Sequence, residues 1–306
     1  MLDHPLLDLD AWVLYFSGAE LPVLRQTVRR LDEARKNIDR VSGREIAKIV
    51  LQDPLMAVRV LALIQPIQGK HLRSDITTIA SAVMMLGVEP FFRKFENLVT
   101  IEAMLKDEPQ ALLGVLQVIR RAQRATTYAH DWAFARHDID VEEVALASLL
   151  HDLSEVLLWC FAPKLAIEIR DMQHIDKTLR SIVAQERVLG ISLFDLQLGL
   201  CGVWHLPELL KTLMNDANAD QPRVQNVALA VNLARHSSHG WMDAALPDDF
   251  SAIEKLLRIN RETLMIRLRV PPEALPKPPE GITEITEAPG NTPAPPTSGA
   301  APTPAA

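Results

Sequence analysis

Apolar residues recur at intervals of three and four along almost the whole chain, and few stretches alternate with period two; this predicts an all-α protein. The clearest boundaries lie where a capping residue precedes such a run. Ser42 followed by Glu45 forms a capping box ahead of Ile46, Ile49, Val50 and Leu51. Asp53-Pro54 sets a capping acid before a proline at the first helical position, where the missing N–H would go unpaired anyway. The helix that follows should bury Leu55, Val58, Leu61 and Ala62 and be interrupted at Pro66 and Gly69. Thr78 caps a helix over 79–86 that Gly87 ends, and Pro90 restarts a periodic stretch reaching Leu105.

On either side of this region the same reading continues. Asp10 is expected to cap a short helix holding Trp12, Leu14, Tyr15 and Phe16, which Gly18 breaks. Leu21-Pro22-Val23-Leu24 opens a second helix with a basic flank at Arg25, Arg29, Arg30, Arg35 and Lys36. A long helix over 108–128 should bury Leu112, Leu113, Leu116 and Ile119 and carry Arg120, Arg121 and Arg124 near its end. Asp140 with Glu143 reads as a second reciprocal box, starting an apolar helix that carries His151 and Asp152 and runs unbroken to Pro163. Beyond it lie segments over 165–172 and 178–189, the latter ended by Gly190. Ser192 with Asp195 caps a helix closing at Trp204-His205-Leu206-Pro207, Pro207 starts another, and a helix with Val224, Val227, Ala228 and Val231 on one face runs from Pro222 to Gly240. The last amphipathic helix spans 250–268.

Composition changes at Pro271. From there to Ala306 the chain is mostly Pro, Ala, Thr, Glu and Gly, too poor in apolar surface to offset its ordering entropy, so 271–306 is expected to be a disordered tail. Ahead of it, an all-helical domain over 1–270 is long enough to bury a sizeable core. The formal net charge of −7 argues against chain-wide affinity for nucleic acid or anionic membrane. No apolar run reads as a membrane span, and the N-terminus lacks a secretory layout, so a cytoplasmic protein is expected. Cys160 and Cys201 sit in apolar helical contexts and read as reduced core residues; Trp159 and Trp204 are expected in the core as well.

The candidate chemistry lies at His151-Asp152, a titratable pair where core residues belong. A hydrolytic cation needs several ligands from different helices plus an open position, and successive helical residues point about 100° apart. The same dipeptide also occurs at His130-Asp131 and His137-Asp138. A buried, hydrogen-bonded remnant is therefore the expectation, with His130 and His174 as the extra ligands a metal site would need and water-facing positions as the alternative. His236 and His239 read as a solvated helix end. The Arg120, Arg121, Arg124 group would suit an anionic partner or a phosphate if it were not simply a solvated face. There is no glycine-rich phosphate loop, nucleophile elbow or zinc-type cysteine spacing.

Taken in order, these signals resemble the HDOD domain, a bacterial relative of the HD-type metal-dependent phosphohydrolases. The resemblance is carried by Leu21-Pro22-Val23-Leu24, by Ile49-Val50-Leu51-Gln52-Asp53-Pro54-Leu55 and by Ile79-Ala80-Ser81-Ala82-Val83-Met84-Met85-Leu86-Gly87. It continues in Leu149-Leu150-His151-Asp152-Leu153 and in Glu186-Arg187-Val188-Leu189-Gly190 leading to Trp204-His205-Leu206-Pro207. It implies an irregular multi-helix bundle of HD/HDOD type, with a core over about 20–215 and C-terminal helices over 216–270. It also implies departures: Gln65-Pro66 stands for an Asn-Ser pair, and Ser154-Glu155 for a Gly followed by a basic residue. Where catalytic relatives supply further ligands, this chain has Arg121, the stretch Leu213-Met214-Asn215-Asp216, and Asn232-Leu233-Ala234-Arg235. The expectation is a non-enzymatic bacterial signalling output or scaffold module with a protein partner, and with no nucleic acid, membrane or cofactor. No catalytic, cofactor-binding or metal-binding residues are expected, His151 and Asp152 being vestigial. The alternative is a degenerate metal-dependent phosphohydrolase acting on a nucleotide or cyclic dinucleotide.

Overall fold

Side-chain caps set most helix starts in the N-terminal half. The computed structural model describes residues 1–68 (backbone only over 65–68) and 76–271, so the expectations at Gly69 and over 272–306 lie outside the described residues. Helix α1 (Leu9–Ser17) is capped by Asp8, whose carboxylate accepts from the Ala11 N–H at 2.9 Å. Asp10, expected as that cap, lies in the first turn instead, where it complements the helix dipole. The next helix, α2 (Arg25–Arg35), starts later than expected because Val23 is extended. The Val23 N–H donates to Val99 O at 2.9 Å and its carbonyl accepts from the Ile101 N–H at 2.8 Å, an isolated parallel bridge with Thr100. The Ser42–Glu45 capping box is complete at the start of α3 (Gly43–Val50).

Asp53 begins α4 (Pro54–Gln68) and does more than cap it. One carboxylate oxygen accepts from the Leu55 and Met56 N–H groups, both at 3.1 Å; the other accepts from the Leu24 N–H at 2.7 Å and the Thr27 hydroxyl at 2.8 Å. A fully buried acid thus ties the start of α2 to the start of α4. Helix α4 continues through Pro66, where an interruption was expected. Thr78 caps α5 (Ile79–Leu86), which stops at Gly87 with φ +84° and an extended ψ of 153°. The single run expected from Pro90 to Leu105 is two helices, α6 (Val88–Lys94) and α7 (Ile101–Met104), because the segment between them is held extended against Val23.

Then come α8 (Pro109–Ala135), α9 (Val141–Leu150), α10 (Leu153–Phe161) and α11 (Pro163–Ile175). Next, α12 (Ser181–Leu189) ends on Gly190 in the left-handed conformation, and Ser192 caps α13 (Leu193–Val203) by accepting from the Asp195 N–H at 3.0 Å. The chain continues through α14 (Glu208–Leu213), α15 (Pro222–His236), α16 (Leu246–Leu257) and α17 (Arg261–Leu268). The last amphipathic stretch is thus two helices: Arg258 turns left-handed at φ 55°, and Asn260 caps α17 by accepting from the Thr263 N–H. Likewise α15 stops at His236, short of Gly240, and a 3-10 turn over Ser237–His239 follows it.

Helix α8, 27 residues long, is the axis around which α9, α10 and α15 pack. Of the expected stripe Ile119 is buried, but Leu112 and Leu116 are only half-buried. Leu113 is 56% exposed, while Ala111, Gly114, Val115, Val118, Ala122, Ala125 and Ala129 face inward. Small residues let neighbouring helices approach closely, and at Gly114 the approach is extreme: a Cβ there would lie 2.5 Å from the Trp159 ring of α10. Gly114→Ala should therefore cost about 1–3 kcal/mol in urea unfolding. Combined with Trp159→Leu, its cost should shrink, because the clash and its cause go together.

The stretch Val141–Phe161 is, against expectation, long and apolar enough to cross a bilayer by composition, but 83% of its apolar window is buried inside the fold. Cys160 and Cys201 are fully buried, and burial pushes both thiols up, Cys201 to about 12. Trp159 is core, whereas Trp204 is only half-buried.

Candidate functional site

The helix expected to run unbroken from Val141 to Pro163 breaks at His151-Asp152, where Asp152 adopts φ −101° and ψ 28°. A break inside a core strands backbone groups that need partners. Gln197 of α13 supplies them: its amide N–H donates to Leu150 O at 2.8 Å, and its amide oxygen accepts from the Ser154 N–H at 2.9 Å. The break frees the pair from helical spacing, so that His151 Nδ1 and Asp152 Oδ1 meet at 3.0 Å. The capping box expected at Asp140 does not form. Glu143 is drawn into the interior instead, accepting from the Thr77 hydroxyl and from Arg223 Nη2 at 2.7 Å, which links α9 to α15.

Arg121 of α8 reaches across to this break. Its Nη2 lies 3.3 Å from Asp152 Oδ2 and donates to Glu155 Oε2 at 2.6 Å. On the far side of the imidazole, Asp216 Oδ1 lies 3.7 Å from His151 Nε2, an ion-pair distance beyond hydrogen-bond reach. Asp216 sits in the 3-10 turn Asp216–Asn218, which Asn215 caps by accepting from the Ala217 N–H at 3.0 Å. The side chains of Arg121, His151 and Asp152 are each at most 20% exposed, so their charges act through a partly desolvated medium.

Burial opposes the charge on His151, but the hydrogen bond to Asp152 and the nearness of Asp216 outweigh it, raising the imidazole to about 9. Burial likewise works against ionised Asp152, yet His151, Arg121 and the charge of Arg235 hold it well below the usual carboxylate range. For Arg121 the cost of burial is overcome by Glu155 and Asp152, and its pKa rises further. The site is thus a charge network of two cations and three carboxylates. Because the folded-state value of His151 lies above that of an unfolded histidine, its contribution is complete below about pH 6.5 and lost as pH rises through 9. In urea unfolding, stability should fall by on the order of 2 kcal/mol between these limits, and His151→Gln should flatten that profile.

The structure does not bring the other candidates here. His130 is exposed on α8, nine residues or about 13 Å along the axis from Arg121, and His174 is exposed at the end of α11, 3.3 Å from Lys177. The His236–His239 pair is not simply a solvated end: His236 Nδ1 lies 2.6 Å from Asp249 Oδ2, a carboxylate supplied by α16, while His239 is exposed. The arginine group is divided. Arg120 faces outward, Arg121 joins the network, and Arg124 donates to the Ser237 hydroxyl at 2.9 Å and to its carbonyl oxygen at 3.3 Å. Glu155 and Asp216 are the members that sequence reasoning missed. Glu155 was legible, since it follows Asp152 by three on one helical face.

The residues do not fit a hydrolytic cation. Among the described residues no group of three or more His, Cys, Asp or Glu is placed to hold a metal ion. A guanidinium already pairs with Asp152 and Glu155, the carboxylates that a cation beside His151 would need.

Among solved structures, the chain is similar to the MmoQ response regulator of Methylococcus capsulatus, at 16% identity and a TM-score of 0.63 over 83% of this chain and 99% of that one. It is also similar to a virulence factor of Campylobacter jejuni, at 20% identity and a TM-score of 0.60 over 87% and 98%. No curated protein matches the sequence. Both likenesses concern the helical fold, and the sequence itself matches the HDOD domain over residues 21–219, so the chain belongs to the HDOD domain family.

Proposed function

We propose that this protein is a non-enzymatic signalling module of a bacterial cytoplasm that acts by presenting helical surfaces to a protein partner. One observation carries the reading. Arg121 lies around the position where the family resemblance implies a ligand in catalytic relatives, and its guanidinium binds Asp152 and Glu155 directly. Asn215 and Arg235, at the other departures, serve the same network: Asn215 shapes the turn bearing Asp216, and Arg235 adds a favourable charge to Asp152. On this reading an internal cation does the electrostatic work that a bound metal would do. The similar fold of a protein described as a response regulator supports a signalling role.

Elemental analysis of purified protein, paired with phosphodiesterase assays on a chromogenic diester and a cyclic dinucleotide, tests this. The expected result is substoichiometric metal and no hydrolysis above the blank with added manganese or iron. A stoichiometric divalent ion, with hydrolysis lost in His151→Ala, would refute the proposal and favour a degenerate phosphohydrolase.

A further inference from the structure

The basic flank of α2 is a sequence feature that the His151 network leaves unused. Residues 25–48 carry eight Lys and Arg against four Asp and Glu, a local charge of +4 in a chain of net charge −7. Helices α2 and α3, with the turn joining them, enclose an open cleft of about 440 Å³. Arg30, Arg40 and Lys48 edge it, and half-buried Ala34, Val41 and Ile49 supply apolar surface. Arg30 and Ile49 also line a smaller polar cleft of about 210 Å³ beside Thr27, Gln52 and Gln123. Arg35 of the same helix is spoken for, paired with Glu96 at 3.3 Å and stacked on Phe92. Arg30 and Arg40 are exposed, and their guanidinium groups make no hydrogen bond or ion pair with any described residue.

We propose that this cleft is a docking site for a net-acidic, aliphatic segment of a partner protein. The proposal rests on the protein-contact reading above and names the chemistry of that contact. Carboxylates of the segment meet Arg30, Arg40 and Lys48, while its aliphatic side chains cover Val41 and Ile49; a groove between two helices accepts such an amphipathic segment lengthwise. Nucleic acid fits less well. Glu33 and Glu45 interleave with the cations, and no aromatic residue lines either cleft to stack a base.

The test is fluorescence anisotropy on the full chain with three labelled probes: a helical peptide of Glu and Leu, its counterpart with Lys for Glu, and an oligothymidylate. The expected result is saturable, salt-sensitive binding of the acidic peptide alone, weakened about tenfold or more in Arg30→Glu/Arg40→Glu and also weakened in Val41→Asp. Arg120→Glu, an exposed charge reversal on α8, should leave it unchanged, and circular dichroism should confirm that every variant is folded. Absence of acidic-peptide binding overturns the proposal, as does equal loss in Arg120→Glu. Tighter binding of the oligothymidylate, lost in the double variant, overturns it in favour of a nucleic-acid surface. A negative result here leaves the metal and hydrolysis assays untouched, whereas hydrolysis by the wild-type chain sinks the signalling reading whatever the peptide does.

Discussion

Arg121→Leu is expected to destabilise the fold by about 3 kcal/mol at neutral pH, read as a lower urea midpoint with an unchanged slope. The guanidinium stands between Asp152 and Glu155, and its removal leaves two partly buried carboxylates facing each other with His151 as the remaining cation nearby. Breaking one side of such a network costs more than never having built it, because the desolvated partners stay behind. Lysine should recover only part of the loss, since one ammonium cannot reproduce a planar fork shared between two acids. Adding Glu155→Gln to Arg121→Leu should recover more. The defect should also shrink on acidification. Asp152 is held below its unfolded value in part by Arg121, so the stabilising term that the variant lacks exists in the wild type above about pH 4 and is lost from it as pH falls.

The second large effect is expected at Asp53. Asp53→Ala leaves four donors unpaired, the N–H groups of Leu24, Leu55 and Met56 and the hydroxyl of Thr27, all at buried residues. At about 1–3 kcal/mol for each stranded group, offset by local relaxation, the loss should reach about 4 kcal/mol. In a domain of this size that lowers the thermal midpoint by about 10 °C, measurable by circular dichroism. Asp53→Asn is not a gentle substitute. It keeps one accepting oxygen, which serves one pair of donors, and turns an amide NH₂ toward the other pair. Asparagine should therefore fall between wild type and alanine, nearer to alanine.

How far the sequence disclosed all this depends on the range of the interactions involved. Caps at Ser42, Asp53, Thr78 and Ser192 were readable because both partners lie within three residues, and the left-handed stop at Gly190 follows from glycine alone. The all-α class followed from periodicity, and the family from the order of short motifs. What escaped the reading depends on distant partners. The break at His151-Asp152 exists because Gln197, more than forty positions downstream, repairs it. The late start of α2 depends on Thr100, and the inward turn of Glu143 on Thr77 and Arg223. On α8 the expected stripe holds at Ile119 and fails at its leucines for a related reason: close packing against α10 at Gly114 selects small side chains over the leucines that carry most hydrophobicity. At the site itself, the His-Asp pair and the anomalous Arg121 were visible in the sequence, but their joining with Glu155 and Asp216 is a product of three helices and a turn.

The seclusion of Cys160 and Cys201 has a practical corollary. With neither sulfur reachable from solvent and both held protonated near neutrality, the folded chain offers a quiet background for maleimide chemistry. A single cysteine engineered on the outer side of α2 would then take up a fluorophore or spin label alone, turning the native protein into its own reporter.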